Sequence, residues 1–517
     1  MSADPLRGAL KPERGRAVSG KETQKGPRDP AEAGGGHGGA VWPALAVAWS
    51  VLEPKRAGEV LLIDPALTRP SILGRHDPDY DYDGRTLLTP SRQRPGENRP
   101  APPLELPPHV SRLQLEVGAG PDRRRVQVTN LGKATLVSSA HGALATGETV
   151  TLQPGDTLVL ADHLLLLCIE RPSRLAPLRF YPGTSMPPFG QPDENGIVGE
   201  SPAIWELRDR MAFAAQLGQH ALVQGPSGSG KELVARGIHR LSARGRRRLV
   251  AASAADIPPT LIEAELFGNR ADYPNPGTPG REGLIGQAHQ STLFLDELGT
   301  LPVDLQSKLL RVLDDHGEYR RLGVDEAMHS DLRLVAATNR SLEHLKADLL
   351  ARLKLMIAVP GLDRRREDIP LLIPAVLARI AAEEGAGQIA ARFALDSDAR
   401  FELDVRLVDV LVRHAYRLHV RELEHLLVLA LYGSPGERIE LGAAMSAELH
   451  LPPPPAPVAD PEVVSCEAVA DALAAHGWNI LETAKVLGWS RFQLNRKIKK
   501  CGLERPAARG ANPAESH

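Results

Sequence analysis

Apolar positions between residues 41 and 171 fall in short runs, at 59–63, 113–117, 125–129, 149–152, 157–160 and 164–169, separated by turn-forming residues. Runs that short predict strands, and 41–175 is expected to be an all-β domain. Within it, 77–108 is polar and proline-rich, which predicts a long exposed loop. After residue 196 strand-like and helical runs alternate, the pattern of a parallel sheet covered on both faces. This α/β core is expected over 196–370, followed by a helical region over 371–449. Leu451-Pro-Pro-Pro-Pro-Ala-Pro457 predicts a stiff polyproline-type linker at 450–460. A final all-α piece at 461–505 reads as helix 463–475, turn 476–479, helix 480–487, the tight turn Gly488-Trp489, and a third helix N-capped by Ser490. The segments 1–40 and 506–517 read as disordered tails, and 176–195 as a Pro/Gly linker.

Composition narrows the picture. A chain of 517 residues exceeds one hydrophobic core, and 42% hydrophobic with 24% charged residues is the composition of globular domains. The 62 basic and 64 acidic residues nearly cancel, so any nucleic-acid surface must be local. Cys168, Cys466 and Cys501 are far apart and odd in number, which argues against a disulfide framework or a zinc site and fits a reducing, cytoplasmic compartment. The apolar stretch 40–52 contains Pro43 and falls short of the roughly 20 residues a membrane helix needs, so no membrane segment is expected.

Two motifs carry phosphoryl chemistry. A buried-strand run, 220–224, leads through Gly225, Pro226, Ser227, Gly228, Ser229, Gly230, Lys231 and Glu232 into a helical run. This is a Walker A loop in its strand-loop-helix context: glycines let backbone N–H groups wrap phosphate oxygens, and Lys231 reaches the terminal phosphates. Glu232 stands where Ser or Thr meets magnesium in the general pattern, leaving it a candidate ligand. Ser291-Thr-Leu-Phe-Leu-Asp-Glu297 is an apolar strand ending in two carboxylates, a Walker B arrangement. Asp296 is expected to organise Mg2+ and Glu297 to polarise the attacking water, so both join Lys231 as catalytic candidates.

The order of these motifs resembles the AAA+ domain of bacterial enhancer-binding proteins, the NtrC-like activators of sigma-54 RNA polymerase, over about residues 196–432. Ile197-Val198-Gly-Glu-Ser201 resembles the family's motif beside the adenine, and Glu265-Leu-Phe-Gly268 sits in its usual place. Val335-Ala-Ala-Thr-Asn339 resembles sensor I, with Asn339 on the γ-phosphate, and Val420-Arg421-Glu-Leu423 resembles sensor II. Arg352 matches a position that gives an arginine finger to the neighbouring subunit. The resemblance implies an α/β P-loop NTPase core with a helical lid, ATP and Mg2+ as cofactors, and a homo-oligomer between dimer and hexamer.

Departures from the family pattern cluster on its output. The GAFTGA loop that touches sigma-54 is not retained: within the 23 residues from Asn269 to Ser291, Asp272-Tyr-Pro-Asn-Pro-Gly277 takes its place. Pro274 and Pro276 remove two N–H donors there. Lys346 replaces a finger arginine, Ser253 stands at an asparagine position, and Arg417-Leu-His419 replaces Pro-Gly-Asn before sensor II.

The two ends also resemble known modules. In the third C-terminal helix Phe492, Leu494 and Ile498 can face a core, while Arg491, Gln493, Asn495, Arg496, Lys497, Lys499 and Lys500 face outward with Ser490 at the cap. The segment resembles the Fis-type helix-turn-helix, which implies double-stranded DNA as partner. In the β domain, Ser71-Ile-Leu-Gly-Arg75, Ser111-Arg112 and Thr129-Asn130-Leu-Gly132 resemble the forkhead-associated (FHA) domain, a β-sandwich. That likeness implies phosphothreonine binding by Arg75, Ser111, Arg112, Thr129 and Asn130, and a Ser/Thr kinase pathway upstream. Gln114 stands where that family has histidine.

Three functions stay open on this reading. One is a DNA-binding transcriptional regulator of the sigma-54 activator type, an ATPase controlled by phosphothreonine recognition. Another is an ATP-dependent oligomerising repressor or modulator that does not contact sigma-54. The last is an AAA+ remodeller of another substrate, anchored to DNA.

Overall fold

The computed structural model describes residues 39–314, 316–395, 401–450, 465–476, 478–480, 483 and 491–503. The expected tails, the polyproline linker beyond residue 450, most of the second C-terminal helix, Gly488-Trp489 and Ser490 lie outside the described residues.

Twelve strands build the β domain: β1 (Val41–Ser50), β2 (Val60–Leu62), β3 (Ser71–Leu73), β4 (Ser91–Arg94), β5 (Glu97–Pro100), β6 (Leu115–Ala119), β7 (Val126–Asn130), β8 (Leu136–Ser138), β9 (Gly142–Ala143), β10 (Thr149–Leu152), β11 (Thr157–Leu160) and β12 (Leu164–Pro172). One sheet runs β5-β4-β2-β1-β12-β11-β8-β9 and the other β10-β7-β6-β3. Leu45, Val47, Leu61, Leu115, Val117, Val128 and Leu166 pack between them.

The apolar stretch at 40–52 is thus a central strand. Its inward residues join the sandwich core, while Ala44, Ala46, Leu165 and Leu167 of β1 and β12 belong to a second core shared with the helical lid. A strand buried on both faces reads as a continuous apolar run, because no position alternates to water. An irregularity in the β1–β12 register between Val47 and Trp49 lets Ala48 and Trp49 both join the lid side. Trp49 stacks on Phe401, with ring centroids 6.4 Å apart.

The segment 77–108 is the expected exposed loop only in part: 77–86 is irregular and mostly exposed, and the rest packs. It contributes the β4–β5 hairpin to the large sheet and buries Leu88, Leu104 and Leu106. Its polar residues are committed to partners: buried Gln93 donates to the Pro172 carbonyl (2.8 Å), and Arg92 pairs at 3.0 Å with the fully buried Glu59.

The α/β core carries β13 (Ala221–Gln224), β14 (Val250–Ser253), β15 (Thr292–Asp296), the ribbon β16 (Glu318–Tyr319) and β17 (Met328–His329), β18 (Arg333–Thr338) and β19 (Leu355–Ala358). Its five-stranded parallel sheet runs β14-β15-β18-β13-β19. The helices are α1 (Pro202–Leu217), α2 (Lys231–Arg240), α3 (Ile262–Phe267), α4 (Leu284–Gln287), α5 (Val303–Val312) and α6 (Ala347–Arg352). Ser201 caps α1 by accepting from Ile204 N–H, Pro202 opens it, and Gly218 at φ 70° ends it. The lid follows as α7 (Ile369–Ala381), α8 (Gly387–Arg392), α9 (Val405–Arg413), α10 (His419–Gly433) and α11 (Ala443–Glu448).

The expected linker at 176–195 is a packed strap. Leu178, Phe180, Tyr181 and Met186 pack into the core beneath α1, and the N–H groups of Arg179, Phe180 and Tyr181 all donate to Asp209 Oδ1 at 2.8–3.0 Å. Among the described residues no helix is long and apolar enough to cross a membrane.

At the C-terminus α12 (Cys466–Ala475) and α13 (Arg491–Cys501) meet through Val469, Leu473 and Leu494. Cys466 and Cys501 form a disulfide, which corrects the expectation drawn from their spacing: 35 residues apart in sequence, they stand at facing helix ends 5.5 Å apart between Cα atoms.

Candidate nucleotide site

The C-terminal edge of a parallel sheet is where α/β folds hold ligands, and the two phosphate motifs meet there. The loop after β13 is shaped by glycines. Gly228 (φ 75°) lies so close to the Leu418 carbonyl that a Cβ would overlap it, and Gly230 (φ 101°) turns the chain into α2. Lys231 Nζ donates to the carbonyls of Gly225 (3.1 Å) and Pro226 (3.2 Å), curled over its own loop. Burial holds its ammonium below the ordinary lysine range, while Asp296 and Glu297 pull it back up. Ser229 Oγ is buried without a hydrogen-bond partner. An orphaned donor inside an N–H-rich loop is the fit expected for a phosphate oxygen.

β15 delivers the acid pair. Asp296 Oδ1 accepts from Glu297 N–H at 2.8 Å, and Glu297 itself adopts φ 53°, a conformation uncommon for a side-chain-bearing residue. Between β15 and β13 lies β18. Its last residue, Thr338, pairs with Gln224, so the exposed Asn339 begins beside the Walker A loop. Ser253 pairs with Asp296 on the other side. The lid closes over the loop: Val420 N–H donates to the Gly228 carbonyl (3.1 Å), and Arg421 Nη1 stands 3.4 Å from Ser227 Oγ. Glu232 turns away from Asp296 in this structure, its exposed carboxylate pairing with Arg236 one turn along α2 at 2.6 Å.

Ile197 and Val198 are both buried, the first against α1 and α2 and the second against the lid. Behind them lies a network that the sequence did not disclose. Asp368 is fully buried and accepts from the N–H groups of Glu200 (2.8 Å) and Ser201 (2.9 Å) and from Ser201 Oγ (2.5 Å). Its carboxylate leaves no room for a Cβ at Gly199. Arg365 donates to the carbonyls of Ser229 (3.2 Å) and Val198 (3.5 Å). In the sequence these residues belong to a charged run, 363–368, indistinguishable from a solvated turn.

In the C-terminal domain Asn495, Arg496, Lys499 and Lys500 are exposed on α13, but Lys497 is 8% exposed and is not part of the outward face. It follows Leu494 by three positions, which sets it on the buried stripe. Arg491 and Gln493 belong to α13, while their side chains lie outside the described residues.

Family models match this chain in two places: a sigma-54 interaction domain over residues 197–358 and a bacterial regulatory protein of the Fis family over residues 461–500. The anaerobic nitric oxide reductase transcription regulator NorR of Aeromonas hydrophila is 33% identical over 365 residues, covering 65% of this chain and 68% of that protein. The chain belongs to the sigma-54-dependent transcriptional regulators. It spans 60% of the length of the Nif-specific regulatory protein of Bradyrhizobium diazoefficiens, at 30% identity over 365 residues and 60% of this chain. Among solved structures, NtrX from Brucella abortus in complex with ADP is 30% identical, covering 59% of this chain and 70% of that one, with a TM-score of 0.43.

In this regulator the finger candidate Arg352 ends α6 and is paired within its own chain to Asp314 at 2.6 Å, while Lys346 Nζ donates to Ser307 Oγ. The segment replacing the GAFTGA loop folds back on itself. Asn269, 4% exposed, donates to the carbonyls of Arg270, Tyr273 and Pro279, and Asp272 Oδ1 accepts from Gly277 N–H (2.7 Å). Tyr273 packs over Gly323.

The β domain brings part of the phosphothreonine set together. Arg75 N–H donates to the Ser111 carbonyl (3.0 Å), and Gly74 must be glycine because the Arg112 backbone crosses it. Arg75 Nε and Arg112 Nε are both buried without a hydrogen bond; Arg112 Nε lies 2.7 Å from Asp77 Oδ2 as an ion pair, and its guanidinium covers Tyr80. Thr129 Oγ1 shares a hydrogen bond with Thr149 Oγ1 (2.9 Å). Asn130 is 2% exposed, accepts from Gln114 Nε2 (2.9 Å) and donates to the Leu144 carbonyl (2.9 Å), so these two bonds of its amide are made inside the sandwich.

Proposed function

We propose that this chain is a DNA-bound regulator that binds and hydrolyses ATP in its AAA+ core as an oligomer, under control of a phosphothreonine segment docking on the β domain. The observation that carries the reading is that Lys231 and the Asp296–Glu297 pair follow strands of one sheet edge, with Arg421 of lid helix α10 over the same loop. ATP with Mg2+ supplies a terminal phosphoryl group activated for transfer to water. Lys231 and Ser229 would hold phosphate oxygens, Asp296 would hold the metal alongside the phosphates, Glu297 would orient the water, and Arg421 would close the lid onto the site. Arg352 would leave Asp314 for a neighbouring subunit's nucleotide. That exchange is cheap, because an exposed ion pair contributes only about 0–1 kcal/mol.

ATP turnover by the full chain, with and without DNA and a phosphothreonine peptide, tests this. Glu297→Gln is expected to keep nucleotide and lose about a hundredfold or more in rate. Lys231→Ala is expected to lose binding, and Arg75→Ala to remove only the peptide's effect. Turnover equal to wild type in Glu297→Gln and Lys231→Ala would overturn the ATPase, and a peptide effect surviving in Arg75→Ala would overturn the sensing role.

The folded-back segment at 269–282 supports a second reading of the output. In it the motor sets oligomeric state and the DNA domain tunes transcription, without a loop contact to sigma-54.

A further inference from the structure

The β domain reaches the nucleotide site through two arginines. Arg171 of β12 is 1% exposed; its Nε donates to Gln93 Oε1 (2.7 Å), its Nη1 lies 3.3 Å from Glu367 Oε1, and its Nη2 donates to the Glu200 carbonyl (2.7 Å). Arg94 of β4 grips the carboxylate of the same Glu200, Nη2 to Oε1 at 2.5 Å and Nε to Oε2 at 3.3 Å. Glu200 sits between Gly199 and Ser201, the residues fitted around Asp368, and Arg365 ties that corner to Ser229 of the phosphate loop. An unbroken line of hydrogen bonds and packed backbone therefore joins two β-domain strands to the Walker A loop.

We propose that Arg171 and Arg94 are positioning residues for nucleotide: they hold segment 197–201 and, through 365–368, the phosphate loop in binding geometry, so that β-domain docking and nucleotide binding are coupled. The inference rests on reading 225–232 as the nucleotide site. The apolar part of the boundary, where Trp49, Ala46 and Leu167 share a core with the lid, already holds the domains together. Burying the Arg171 guanidinium and partly burying that of Arg94 beside that contact costs desolvation and adds little net stability, so their contribution is geometric. A network of this kind couples two sites only if both bias the same element, and the coupling is then reciprocal. Here the shared element is the corner 199–201.

The test uses the full chain with a fluorescent ATP analogue, comparing wild type, Arg171→Lys, Arg94→Gln and Thr157→Val. Thr157 Oγ1 donates to Asp409 Oδ1 (2.5 Å) across the same domain boundary without touching 197–201 or 225–232. Both arginine variants are expected to bind about fivefold or more weakly, as a coupling of ordinary size requires, with Thr157→Val like wild type. Nucleotide should also slow amide exchange in β4 and β12 of the wild type. Arg94 is partly exposed, so Arg94→Gln stays informative if Arg171→Lys does not fold. Equal loss in all three variants would mean general loosening and overturn the positioning role. A wild type that binds, with variants that bind equally well and no exchange effect, would overturn the coupling alone. A wild type that takes up no nucleotide would overturn the site assignment and the coupling with it.

Discussion

His220, at the start of the strand that feeds the phosphate loop, shows how a single side chain ties the core to pH. Its Nδ1 accepts from Leu334 N–H at 2.9 Å, which requires the neutral ring on that side, and burial lowers its pKa from 6.5 to about 4. Between those values the unfolded chain takes up a proton that the folded chain refuses. The contribution is therefore complete above pH 6.5 and is lost as pH falls toward 4, by about 3 kcal/mol in all. Thermal melts at pH 7.5 and pH 5 should show about 2 kcal/mol of that loss in wild type and a flatter dependence in His220→Asn; parallel slopes would count against it. At this scale the Walker residues were legible because phosphate binding needs them contiguous. Arg365, Asp368 and Glu200 were not, because their roles arise only when residues 168 positions apart, such as Glu200 and Asp368, are folded together.

Among elements, β10 and β11 match the expected strands at both ends, since each has one face on the sandwich core and turns on either side. β1 escaped recognition as a strand because both its faces are buried, and β4–β5 because its polar residues are satisfied inside the protein. The segment 269–282 is the element with the clearest consequence for output. Asn269 spends its amide on three of the segment's own carbonyls, so extending the tip toward a partner would leave this buried amide unpaired at a cost of about 1–3 kcal/mol. Purified protein with sigma-54 polymerase on a sigma-54 promoter is accordingly expected to give no ATP-dependent open complexes. Heparin-resistant complexes that require ATP and vanish in Tyr273→Ala would show that the tip reaches the factor after all.

At the scale of the whole molecule, the β domain and the lid share one hydrophobic core: β1, with Ala44, Ala46 and Ala48 in that core, lies against α9, close enough because alanine keeps the strand face low. Trp49→Ala removes the ring stacked on Phe401 and should cost about 3–5 kcal/mol. Calorimetry is expected to show the wild-type β domain and core melting together and the variant splitting into two transitions; one unsplit peak at the wild-type temperature would contradict the shared core. The sequence suggested beads on a string, with a linker at 176–195, because Pro and Gly mark irregular backbone whether it is free or strapped down.

The alanine-lined face of β1 also limits how such a protein can be rebuilt. A β domain welded to the lid is not an interchangeable cassette. Swapping it for another domain would bare the greasy flank of the lid to water and invite clumping, and bulkier residues along the seam would pry the halves apart. Change in the β domain is therefore tolerated more readily in its loops, such as those joined by the Arg75 N–H to Ser111 carbonyl bond, than along the seam.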